Sequence, residues 1–266
     1  MKKVAELISL KGSAALITGA TGNIGQEVAL TIAELGGNLI LVDRPGSNYD
    51  QIRENVLDNW NVNVKCIDCD LEHKNLRDDL VRFIIENNMN LDILINNAAF
   101  VGESNLEGWA DDFDKQTIET WNRAMEVNLT APFHLSQGFY PLLKKNGGGS
   151  IINIASIYGF NAPDYSIYTD TNMGNPAGYS VSKGGLIQLT RWLSTTVAPE
   201  VRVNSISPGG VQRDQDKNFI ERYENITPLN RMATEEDFKG VVAFLASNMS
   251  SYITGQNIVV DGGWSV

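Results

Sequence analysis

The sequence predicts an α/β fold, a doubly wound parallel sheet of seven strands with helices on both faces. Three observations carry this: short apolar runs alternate with longer amphipathic stretches, each connection is long enough to cross a sheet face, and the first run enters a glycine-rich turn and then a helix. The apolar runs fall at 14–17, 38–42, 62–67, 91–95, 150–154, 201–206 and 257–260. Amphipathic stretches fill 24–35, 47–60, 71–88, 116–144, 179–197 and 235–247. Right-handed crossovers between such strands wind the sheet outward in both directions.

No linker or repeat divides the 266 residues, so residues 1–266 read as one domain. Two connections exceed a bare crossover, about 100–114, which is acidic, and 157–178, which carries Tyr158, Tyr165 and Tyr168; these and the segment 211–224 are assigned to substrate. Lys and Arg total 21 against 32 Asp and Glu, a net charge of −11, which disfavours nucleic-acid and anionic-membrane partners. No window holds the roughly 18 apolar residues of a spanning helix, and Glu6 interrupts what would be an apolar signal core. A soluble, cytoplasmic protein is the expectation. Cys66 and Cys69, three apart on the third strand, point to opposite faces and read as reduced, structural thiols, and no metal site is expected.

Chemistry-bearing residues gather at the strand ends. The first strand, AALIT, runs into Gly19-Ala20-Thr21-Gly22-Asn23-Ile24-Gly25 and then a helix. Glycines at 19, 22 and 25 permit a tight turn, bring backbone N–H groups to a pyrophosphate and pack the helix on the strand, its positive end toward the phosphates. The second strand ends at Asp43, where a carboxylate can accept from both ribose hydroxyls and repel a 2′-phosphate. NAD(H) is therefore favoured, while Arg44 leaves NADP(H) open if Asp43 turns aside. After the third strand, Asp70 and Leu71 stand where they can reach adenine, although Asp70 is equally an ordinary helix cap. Asn96-Asn97-Ala98-Ala99 closes the fourth strand with small residues that let backbone lie against a nucleotide.

Asn128 is a polar residue in an apolar helical stretch, suited to a buried relay or a local kink. Ser156 ends the fifth strand at the carboxyl edge, where its hydroxyl can hold a substrate oxygen. Tyr179 and Lys183, four apart at a helix start, share a face. A close ammonium would lower the phenol from its ordinary value of about 10 and make Tyr179 a proton donor and acceptor. A solvated helix pair is the bland alternative. Residues 214–225 read as a mixed-charge lid in solvent, although Arg213 and Lys217 could meet a phosphate. The tyrosines of 157–178, with Asn161, Asp164, Asp170 and Asn172, would offer aromatic faces and hydrogen bonds to a hydroxylated, sugar-like molecule.

In these ordered motifs the chain resembles the short-chain dehydrogenase/reductase family, in its compact single-domain branch. The likeness runs from Thr18-Gly19 through Asn96-Asn97-Ala98, Asn128, Ser156, Tyr179/Lys183 and Arg202-Val203-Asn204 to Pro208-Gly209-Gly210 and Asp261-Gly262-Gly263. It implies a Rossmann fold and an NAD(P)-dependent oxidoreductase interconverting a secondary alcohol and a ketone. By that likeness Tyr179 is the acid–base, Lys183 tunes it and holds the nicotinamide ribose, Ser156 orients the carbonyl, and Asn128 positions a relay water. Pro208, Gly209 and Val211 would lie beside the nicotinamide. Residues 156–173 and 207–210 resemble a bacterial subgroup of flagellin-modification or surface-sugar oxidoreductases. The Gly19, Gly22, Gly25 spacing is that of the extended branch, which implies as an alternative an NAD-retaining nucleotide-sugar epimerase or dehydratase; a dinucleotide-binding protein without turnover is a separate alternative. The family implies homodimers or homotetramers, and the helices at 116–144 and 179–197 carry surplus apolar positions, among them Phe133, Leu135, Phe139, Leu186, Trp192 and Leu193.

Overall fold

The architecture comes from a computed structural model that describes residues 1–101, 106–145 and 148–266. Residues 102–105 of the acidic 100–114 connection thus lie outside the described residues. Among the described residues seven parallel strands form one sheet: β1 (Ala14–Thr18), β2 (Asn38–Asp43), β3 (Val64–Asp68), β4 (Ile93–Asn96), β5 (Gly149–Ile154), β6 (Val201–Pro208) and β7 (Asn257–Val260). Their order is β3-β2-β1-β4-β5-β6-β7. The winding reverses between β1 and β4, which pair through Ala15↔Ile93, Leu16↔Leu94 and Ile17↔Ile95. β1, β4 and β5 are buried at every residue, as continuous apolar runs between two helical layers should be.

The helices are α1 (Val4–Ile8), α2 (Asn23–Glu34), α3 (Asp50–Asn59), α4 (Lys74–Glu86), α5 (Ile118–Met125), α6 (Ala131–Leu143), α7 (Ala177–Thr196), α8 (Lys217–Ile226) and α9 (Lys239–Ala246). One core packs residues of α2, α3 and α9, among them Ile32, Val56 and Val242, on one sheet face; another packs Leu80, Phe139 and Leu193 of α4, α6 and α7 on the other. Each fully buried Leu, Ile or Phe contributes roughly 1.5–3 kcal/mol. No described helix is long and apolar enough to cross a membrane.

Several expectations change. The helix expected over 116–144 is broken by a π-turn at Glu126–Thr130, which joins α5 to α6. It lies just before Pro132, which has no N–H for the carbonyl of Asn128 and whose ring crowds it, so the wider turn relieves the conflict. Cys69 falls beyond β3, in the turn before α4, so the opposite-face argument does not apply to it; Cys69 is buried, Cys66 half-buried, and both are free thiols. The lid expected in solvent is α8, docked by buried Phe219 and Tyr223 on Ile167 and Met232.

Candidate active site

The carboxyl edge of the sheet opens into a groove of about 1260 Å³ that runs from Asp43 across the β1–β4 junction to Met173 and Gln215. Its floor begins at the glycine turn. Gly19 sits at φ +63°, and a Cβ there would stand 2.8 Å from Ala98 Cα; one on Gly25 would stand 2.0 Å from Gly19 O. Strand end and helix start therefore approach as only glycine permits. Thr21, Gly22, Asn23 and Ile24 continue the wall into α2.

Asn97 ties this turn to β4: its Nδ2 donates to Thr18 O and Gly19 O, both at 3.0 Å, while Thr18 Oγ1 accepts from the backbone of Asn97 at 3.1 Å and Ala98 at 3.0 Å. Ala98 and Ala99 line the groove beside it. Asp43, expected to wait for a ribose, already has partners in the chain: Oδ2 accepts from Thr21 N at 2.8 Å and Thr21 Oγ1 at 2.7 Å, and Oδ1 from Arg44 N at 2.8 Å. Asp70 lines the groove with Leu71, and its Oδ1 accepts from Glu72 N at 3.0 Å within its own turn; the cap position of α4 is His73, so Asp70 is not the helix cap.

At the other end Ser156 stands two residues beyond β5 rather than ending it, at the start of the turn Ile157–Gly159, and its Oγ accepts from Tyr158 N at 3.2 Å. The first turns of α7 deliver Tyr179 and Lys183 to the same wall. Lys183 is 2% exposed, its Nζ donates to Ile154 O at 2.7 Å, and it stands 5.8 Å from the Tyr179 ring centroid. Burial pulls this ammonium down to about 7. Burial also raises the Tyr179 hydroxyl above its ordinary value, with a hydrogen bond from Ser156 opposing the rise. The expectation of a phenol lowered by its lysine is thus reversed: four-residue spacing brings the two together, but desolvation dominates both. Pro208 at the end of β6, with Gly209 and Val211 just beyond it, completes the wall.

Asn128 alone among the expected site residues lies behind the wall. It is fully buried on the π-turn, its Oδ1 accepts from Phe100 N at 2.6 Å, and its Nδ2 donates to Ser182 Oγ at 3.0 Å. The backbone irregularity is therefore present at Asn128, and its side-chain amide is already bonded to Phe100 and Ser182. The expected aromatic faces are not in the groove. Tyr158 and Tyr168 join hydroxyls at 2.6 Å within an inner cluster, Tyr165 is exposed, and from 157–178 Met173 reaches the wall before Tyr179. Arg213 lines the groove, paired with Glu235 at 2.6 Å, whereas Lys217 begins α8 away from the wall. Residues not anticipated include Glu107, Gln215 and Arg123; Arg123 pairs with Glu72 at 2.8 Å and lies 4.5 Å from the Phe100 ring centroid. No sequence signal links partners 51 positions apart.

Comparison with known proteins agrees with this geometry. Residues 19–265 match the family model described as Enoyl-(Acyl carrier protein) reductase. The chain is 35% identical over 268 residues to a 3-oxoacyl-[acyl-carrier-protein] reductase of Rickettsia felis, covering 97% of this chain and 98% of that one. Among solved structures it resembles a short chain dehydrogenase from Leptospira borgpetersenii with bound NAD+ (TM-score 0.84, 32% identity, 100% and 97% coverage). A candidate NAD(P)-dependent gluconate 5-dehydrogenase from Beutenbergia cavernae, with NADP at low occupancy, is similar too (TM-score 0.84, 28% identity, 97% and 98% coverage). With the glycine turn, Ser156 and the Tyr179/Lys183 pair on one groove, the chain belongs to the short-chain dehydrogenase/reductase family and is an NAD(P)-dependent oxidoreductase acting on CH–OH groups.

Proposed function

We propose that the protein interconverts a secondary alcohol and its ketone on a sugar or sugar-like substrate, prefers NAD(H) to NADP(H), and uses Tyr179 as acid–base. The convergence of Ser156, Tyr179 and Lys183 on the groove that starts at Gly19 carries this reading. The groove fits a dinucleotide: its volume of about 1260 Å³ exceeds what a small substrate alone needs, and a Cβ on Gly22 would meet nothing nearer than Gly19 O at 3.4 Å, leaving that backbone open. The bound nicotinamide would supply the hydride acceptor or donor. Ser156 and Tyr179 would both hold the reacting oxygen, and Tyr179 Oη would give or take its proton. Burial keeps the resting phenol neutral, the form that ketone reduction uses. Lys183 would hold the nicotinamide ribose, and Asn128 would order the polar path behind it.

Support for NAD(H) comes from Asp43. Turning its carboxylate aside to admit a 2′-phosphate to Arg44 would break two hydrogen bonds from Thr21, each worth about 0.5–1.5 kcal/mol. Glu107, Arg213 and Gln215 give the substrate end polar partners. Leu106, Met173 and Val211 on the same wall, together with the acyl-carrier reductase relative, favour a second reading in which the substrate is a fatty 3-oxoacyl group. The net charge of −11 weighs against an acidic carrier.

The test is a panel of keto-sugars and polyols, free, phosphorylated and nucleotide-linked, with a 3-oxoacyl thioester, run with both cofactors. A sugar-dependent net change in nicotinamide absorbance is expected, larger with NAD(H), and Tyr179→Phe should lose about 10²–10⁴-fold in turnover while still binding the dinucleotide. Turnover without net absorbance change would instead assign the cofactor-retaining epimerase or dehydratase alternative, and activity confined to the thioester the second reading. The whole chain would act as one cytoplasmic domain, paired with a second copy through Ile118, Phe133, Val181 and Trp192, which stand exposed on α5, α6 and α7. Sedimentation of the purified protein as a monomer would remove that pairing.

A further inference from the structure

Five aromatic side chains close a ring behind Gly209 and Gly210. Tyr158 and Tyr168 share a hydroxyl hydrogen bond of 2.6 Å. Tyr168 packs on Phe219 with centroids 5.4 Å apart, and Phe219 on Tyr223 at 6.0 Å. Tyr223 stacks on Trp264 at 5.8 Å and 14°, and Trp264 returns edge-on to Tyr158 at 6.0 Å. The members come from four segments: the turn after β5, the turn at Tyr165–Tyr168, α8, and the chain beyond β7. Such contacts fix relative position beyond what burial alone would.

Two members bind backbone or side chain at the site. Tyr158 N donates to Ser156 Oγ, and Tyr223 Oη accepts from Gly210 N at 2.6 Å. The glycine pair leaves room for this approach. A Cβ on Gly209 would stand 2.9 Å from Tyr223 Oη, and one on Gly210 would stand 2.8 Å from Tyr223 Cζ and 2.9 Å from Met232 Cε. Burial pushes the Tyr223 hydroxyl up to about 12, so it stays neutral across the working range. Tyr223 is not itself part of the groove wall, while Gly209 and Val211 on either side of Gly210 are.

The geometry points to Tyr223 as a positioning residue for the nicotinamide end of the cofactor, acting from behind through the Gly210 backbone. This rests on the reading that Pro208, Gly209 and Val211 lie beside the nicotinamide. Tyr223→Phe keeps the ring in its stack and deletes the acceptor. Calorimetric titration of wild type and variant would use two ligands: the reduced dinucleotide that wild type binds more tightly, and ADP-ribose or its 2′-phosphate, which lacks the nicotinamide. Leaving the Gly210 N–H without a partner should weaken the dinucleotide roughly tenfold and leave the fragment within about twofold. Gly210→Ala, whose methyl must displace the Tyr223 ring, should repeat that selective loss. Equal weakening of both ligands, or an unchanged dinucleotide affinity in either variant, would overturn the inference. Failure of wild type to bind either ligand would overturn the reading of the groove itself.

Discussion

The two ends of the groove are stiffened by different chemistry. Beside Asp70 and Leu71 the wall is bolted by crossed guanidinium–carboxylate pairs: Arg77 of α4 reaches Glu126 on the π-turn at 2.5 Å, and Arg123 of α5 reaches back to Glu72 at 2.8 and 3.1 Å. Arg77 also donates to Leu71 O, and its Nε donates to His134 Nδ1 at 3.1 Å, which leaves His134 Nε2–H to meet Asp78 at 3.0 Å. Beside Pro208 the supports are backbone bonds, such as Gly209 N to Val260 O at 2.9 Å, and the aromatic ring. The cations differ accordingly. Arg123 faces a carboxylate and is held above its ordinary value by Glu72, whereas Lys183 faces the neutral carbonyl of Ile154 and falls to about 7. A cation with an anionic partner is a fixed strut even where it is partly exposed, as Arg123 is, and a buried one with a neutral partner is a titrating group.

Breaking the strut gives the larger effect. Arg77→Met would strip Leu71 O, His134 and Glu126 of their donor together. Removing one partner of a buried pair costs about 3–5 kcal/mol, and the low end applies here because Glu126 keeps 34% of its side chain in water. Denaturant unfolding should show that loss. The calorimetric signature should be the reverse of Tyr223→Phe: the adenosine fragment weakens, and the added affinity due to the nicotinamide is unchanged. A fragment affinity equal to wild type would mean that the ion pairs stabilise the fold without shaping the groove.

The same contrast explains which features could be read in advance. Strand ends are local: AALIT followed by Gly19 and Gly22, and Tyr179 four residues from Lys183, carry their geometry in short-range periodicity, and they meet the groove as expected. The supports behind the groove are tertiary. Glu72 with Arg123, or Tyr158 with Trp264, are pairs that only the completed sheet brings together, so Tyr158 and Tyr168 read as part of a sugar platform when they are packed inward. The direction of the Tyr179 shift failed for a related reason. Spacing reports proximity to an ammonium but not the loss of water around both groups, and the second decides the sign. Thr21 was legible as part of a turn, yet its role as a double donor to Asp43 depends on β1 and β2 lying side by side.

The smaller effect belongs to Lys183 and sharpens the comparison through pH. Its value in the folded chain, about 7, lies below the 10.5 of an unfolded lysine, so between the two the unfolded state binds more protons and unfolding free energy climbs with pH. Lys183→Met has no such group. The stability of wild type relative to this variant should therefore rise by roughly 1.5 kcal/mol from pH 7 to 8.5 and level off only above the unfolded value. Urea unfolding of wild type and Lys183→Met at the two pH values measures this directly. A flat difference for Lys183→Met would mean that the ammonium stays charged in the folded chain, and the distinction between a strut at one end of the groove and a titrating group at the other would be lost.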